Sequence, residues 1–83
     1  MAMILASILS ADQANLAQEC TKLLENGIDG IHVDVMDDHF VPNLSYSPSV
    51  VAALRRHFPT LFIDCHLMVE NPIKVILLLS DIV

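Results

Sequence analysis

The chain has 83 residues, a formal charge of −6 and only four lysines and arginines, so it is expected to form one small domain, residues 1–83, with barely enough interior to sustain a core. This acid surplus offers no cationic footprint for nucleic acid or anionic lipid, and no apolar run approaches the roughly 20 residues that a membrane helix needs. Two cysteines without a secretory leader predict reduced thiols and a cytoplasmic setting.

In chain order, the first predicted element is an apolar strand over about residues 4–9. The stretch from Met1 to Ala6 lacks the charge and length of a signal peptide and is expected to be buried. Leu16, Cys20, Leu23 and Leu24 then recur at the spacing of one helix face. Ser10 with Gln13 predicts a capping box at the start of that helix, and Gly27 predicts its end. A second strand is expected over about residues 30–36. The connection from Asp37 to Tyr46 that follows is longer than the two to six residues usual between a strand and a helix. Ser47-Pro48 opens a second helix with Val50, Val51 and Leu54 facing inward. A third strand over about residues 61–68 leads to Asn71-Pro72, which starts a third helix. The apolar run Val75 to Leu79 is expected to be buried.

The β-α-β-α-β-α order predicts a parallel sheet with right-handed crossovers. Strands recur about every 28 residues, and eight such repeats give roughly 220, close to a typical (β/α)8 barrel. The predicted fold class is therefore α/β, with the chain supplying the N-terminal three βα units of a truncated TIM barrel.

Two strands carry ionisable residues inside apolar runs. Unpaired charge is costly to bury, so such residues usually pair, bind metal or do chemistry. Successive side chains of a strand point to opposite faces. His32, Asp34 and Met36 thus share one face of the second strand, and Asp64, His66 and Met68 share one face of the third. If the strands are neighbours, two imidazoles and a carboxylate converge, a ligand set for a divalent transition metal with open positions for substrate. A lone buried histidine is more often a hydrogen-bonded structural residue; the combination with Asp34 and His66 favours the ligand reading. Asp64 either orients a ligand from behind or is structural. Cys65 points away from His66, which excludes a Cys/His pair. Asp37 and Asp38 read most simply as solvated loop charges. His39 lies in the long loop, and His57 suits a helix C-terminus.

The segments Ser7-Ile8-Leu9-Ser10-Ala11-Asp12, Ile31-His32-Val33-Asp34-Val35-Met36-Asp37, His39-Phe40-Val41-Pro42-Asn43 and His66-Leu67-Met68-Val69 closely resemble the ribulose-phosphate 3-epimerase family, in its order and spacing, from about residue 4 to about residue 74. The resemblance implies a (β/α)8 isomerase of the pentose phosphate pathway, homo-oligomeric at full length. Such an enzyme interconverts the sugar phosphates ribulose 5-phosphate and xylulose 5-phosphate by inverting carbon 3. By position, His32, Asp34 and His66 match three of four ligands to one divalent ion (Zn, Fe, Mn or Co). Asp34 also matches one of two acid/base carboxylates. Ser7 and His66 match substrate contacts, and Met36 and Met68 match methionines packed beside the reacting carbons; without the resemblance all but His66 among these four read as ordinary strand or core residues. The family's second catalytic aspartate and its glycine-rich phosphate-gripping turns match nothing in this chain.

Within the matched part, Asp38 stands where the family usually has glycine, Ala6 replaces a common proline and Gln13 a common phenylalanine. Residues 73–83 form a divergent, nearly all-apolar tail. Two alternatives accompany this reading: a sister epimerase acting on allulose 6-phosphate, and a catalytically dead fragment with association properties only. Unpaired sheet edges are expected to invite such association.

Overall fold

In the computed structural model, which describes residues 2–83, the apolar runs form strands β1 (Leu5–Ser7), β2 (Gly30–Met36) and β3 (Phe62–Met68). The amphipathic segments between and after them form helices α1 (Leu16–Glu25), α2 (Pro48–His57) and α3 (Pro72–Leu79). The strands make one parallel sheet in the order β1-β2-β3, so β2 is hydrogen-bonded along both edges. The register pairs Ser7 with His32 across the first ladder, and His32 with Asp64, Asp34 with His66 and Met36 with Met68 across the second.

Local chemistry explains most element boundaries. Gly27 ends the first helix at φ +89°, a backbone state that costs glycine little. Pro48 and Pro72 occupy first-turn positions, where a missing N–H costs nothing. The Asn71 side chain accepts from the Lys74 N–H at 3.2 Å. Arg55, Arg56 and His57 fill the last turn of α2, where the helix dipole favours positive charge. Gly30 opens β2 because a Cβ there would stand 2.5 Å from the Phe62 carbonyl oxygen of β3.

Two boundaries differ from expectation. The predicted Ser10/Gln13 capping box does not form. The chain turns at Leu9-Ser10, with the Ala11 N–H donating to the Ile8 carbonyl at 3.1 Å. That turn ends β1 early. Asp12 becomes the cap instead, accepting from the Ala14 N–H at 3.0 Å ahead of a short 3-10 turn, Gln13–Asn15, that leads into α1.

The core lies between the sheet and its helices. Ile31, Val33 and Val35 of β2 and Ile63 of β3 pack with Ile8, Cys20, Val51, Leu54 and Leu79. The cysteines are free thiols, Cys20 fully buried. The inward prediction for α2 holds for Val51 and Leu54, with Val50 half-buried. Of the two end segments expected to be buried, Met1 lies outside the described residues, Leu5, Ala6 and Val75 are half-buried, and much of the rest is exposed. Met3 and Ile4 are exposed, and in α3 only Leu79 is enclosed (3% exposed), while Leu77 is 72% exposed. Both segments adjoin the outer strands, and no further described element covers them. Among the described residues no helix is long and apolar enough to cross a membrane.

Candidate metal centre

Alternation along β2 separates two environments. Odd-numbered residues enter the core, and even-numbered residues line the opposite face with Ser7 of β1 and Asp64, His66 and Met68 of β3. At the middle of that face sits Asp34, the one buried charged side chain among the described residues. Its Oδ1 lies 3.2 Å from His32 Nε2 and 3.2 Å from His66 Nδ1. One donor atom from each of the three side chains falls within 4.8 Å of the others, close enough to surround a single cation. The imidazole centroids are 5.9 Å apart and tilted at 52°, so the rings do not stack flat. The expected convergence of His32, Asp34 and His66 is present. Two nitrogens and a carboxylate oxygen suit a borderline transition ion.

The surroundings hold Asp34 in place. Ser45 Oγ donates to the Asp34 carbonyl and accepts from the Met36 N–H at 2.9 Å. Tyr46, buried, donates its hydroxyl to the Ile8 carbonyl, tying the end of the long loop to the end of β1. His32 Nδ1 lies 2.7 Å from Asp64 Oδ2, and this contact is the chief reason the His32 pKa is raised, with burial opposing it. Met36 and Met68 are half-buried register partners at the carboxyl end of the face. Ser7 shares the face but turns its Oγ to the Leu9 N–H at 3.3 Å, with no hydrogen bond to the cluster.

Asp37 is the loop charge anticipated, partly exposed, and it has a structural role besides. Its carboxylate accepts from the N–H groups of His39 and Phe40, both at 2.9 Å, and of Glu70 at 2.8 Å. It therefore clamps the loop after β2 to the segment after β3. These donors, Glu70 first, hold its carboxyl below the ordinary value. Asp38, at φ +60°, adopts the left-handed conformation, which aspartate tolerates better than most residues. The bonds from the His39 and Phe40 N–H groups form an Asx turn, for which an aspartate at the start of a loop is the sequence cue. Nothing local marks Ser45 or the distant Glu70 contact.

The sequence pattern of the Ribulose-phosphate 3 epimerase family matches residues 3–82. The chain belongs to this family. It is 49% identical over 71 residues to a rice protein named ribulose-phosphate 3-epimerase, cytoplasmic isoform, covering 86% of this chain and 31% of that one. It is 49% identical over 82 residues to the ribulose-phosphate 3-epimerase of Schizosaccharomyces pombe, covering 96% and 36%. With the Rhodobacter capsulatus protein of the same name the identity is 52% over 67 residues, covering 81% and 29%. The chain thus spans about a third of the length of these relatives. The family fold is a (β/α)8 barrel, and three consecutive parallel βα units are the repeat from which it is built. In such a barrel the strand face opposite the helices is the interior, so the His–Asp–His cluster occupies an inward-facing position.

Proposed function

We propose that this chain supplies one half of the centre that epimerises carbon 3 of a ketopentose phosphate, ribulose 5-phosphate to xylulose 5-phosphate. The approach of two imidazoles to the Asp34 carboxylate, in a member of this family, is the observation that carries the reading. His32 Nε2, Asp34 Oδ1 and His66 Nδ1 would hold the divalent ion, with a fourth ligand from outside these residues. When bound, such an ion supplies Lewis acidity to the oxygens flanking the acidic carbon.

The proton to be moved is on a carbon next to a ketone, and a positioned carboxylate is the base suited to it. Asp34 removes or returns that proton on one face of the sugar. Inversion requires a second acid/base group on the opposite face, because a single carboxylate would return the proton to the side it left. The polar face of this three-stranded sheet lies wholly on one side, so the second group has to come from elsewhere in a complete barrel. Met36 and Met68 present polarizable sulfur that excludes water without competing for the proton. Ser7, at the carboxyl end of β1, contacts the substrate beside His66.

The test joins residues 3–82 to the remaining two thirds of the Rhodobacter capsulatus relative's barrel. The chimera should interconvert the two pentose phosphates and hold one metal ion per chain. Asp34→Asn should lower turnover by about 10²- to 10⁴-fold, the range ascribed to a positioned acid/base, and His32→Ala should release the ion. A folded chimera that keeps full turnover after Asp34→Asn would overturn the assignment.

A further inference from the structure

We infer that Asp64 is a positioning residue that fixes the tautomer and orientation of His32, so that Nε2 presents its lone pair to the cluster. This deepens the metal reading above and rests on it. A neutral imidazole carries one N–H and one lone pair, and the hydrogen bond made by one nitrogen decides which role the other takes. An ionised carboxylate only accepts. With Asp64 Oδ2 at 2.7 Å from Nδ1, the hydrogen resides on Nδ1. Nε2, which faces Asp34 Oδ1 at 3.2 Å, is left free to ligate.

The backbone builds this contact. His32 and Asp64 are direct register partners on adjacent parallel strands, so no mobile loop intervenes. No other structural demand competes for the Asp64 carboxylate, since its contact with His32 is the one side-chain hydrogen bond it makes among the described residues, and its side chain is 47% exposed. Truncating it would leave no core group unpaired. Asp34 gives the contrast, buried at the centre and touched by both imidazoles. A carboxylate behind a histidine ligand holds the ring and raises its basicity, and removing such partners typically lowers metal affinity about 10- to 100-fold.

The test uses the full chain with Asp64→Ala and Asp64→Asn, zinc as the probe, nitrogen NMR of the His32 ring at about pH 9, where histidine is neutral, calorimetric zinc affinity, and circular dichroism to confirm folding. The unmodified chain should show the Nδ1–H tautomer. Asp64→Ala should shift His32 toward Nε2–H and weaken zinc binding about 10- to 100-fold, while Asp64→Asn, which keeps an acceptor oxygen of the same reach, restores the tautomer and part of the affinity. Should the alanine variant fail to fold, the near-isosteric asparagine variant carries the test, with weaker zinc binding than the unmodified chain as the supporting result. Unchanged tautomer and affinity in the folded variants would overturn the inference alone. A folded unmodified chain that binds no zinc would overturn the metal centre and the inference with it.

Discussion

Ile31 and Val33 are fully buried against the helices, whereas His32 and Asp34, their immediate neighbours in β2, look the other way toward two β3 side chains. A period of two therefore puts apolar cohesion on one side of a single strand and the ionisable cluster on the other. The helix side needs only apolar volume, and volume-conserving exchanges there are tolerated. The other side needs particular atoms at particular separations, and it gathers two imidazoles around its one buried carboxylate.

Substitutions on each side should separate these two functions. Ile31→Ala removes a fully enclosed side chain and should lower unfolding free energy by about 2–5 kcal/mol in urea titration. The zinc affinity of the folded fraction should stay unchanged; a parallel loss of affinity would break the division between faces. Gly30→Ala sharpens the comparison, because Gly30 is on the cluster's side by parity yet acts on the fold. A methyl group there meets the Phe62 carbonyl, and the required shift of β3 should cost about 1–3 kcal/mol by the same titration. The smallest effect concerns the loop beyond both faces. Asp37 is more acidic folded than unfolded, because its ionised form accepts three N–H groups. Its contribution is thus complete above the ordinary aspartate value of about 3.9 and disappears as pH falls through the lower folded value. Melting temperatures of the unmodified chain and Asp37→Asn should differ at neutral pH and converge on acidification.

The inward and outward sets of β2 and β3 were readable from sequence because parity alone assigns each residue to a face. Gly27, Pro48 and Pro72 were readable because each has few backbone options. The N-terminus of α1 was not: Ser10 and Asp12 are both good caps, and a hydrogen bond from Ala11 to Ile8 decides between them. The clamp at Asp37 depends on Glu70, 33 residues away, and no local pattern encodes that distance. Apolar composition likewise misjudged Met3, Ile4 and Leu77, since hydrophobicity states what a side chain favours and not whether anything lies over it. At the cluster, sequence supplied the identities and the shared face, but the near-equal approach of both imidazoles to one carboxylate oxygen depends on the β2–β3 register.

Because the cluster joins side chains 32 residues apart, it has no counterpart in an unfolded chain, where closing so long a loop carries its own entropic penalty. An ion seated there recognises only the zipped pair of strands. Each tenfold excess of free ion over its dissociation constant would then deepen the folded well by about 1.4 kcal/mol, making such a cation a rivet across the crossover.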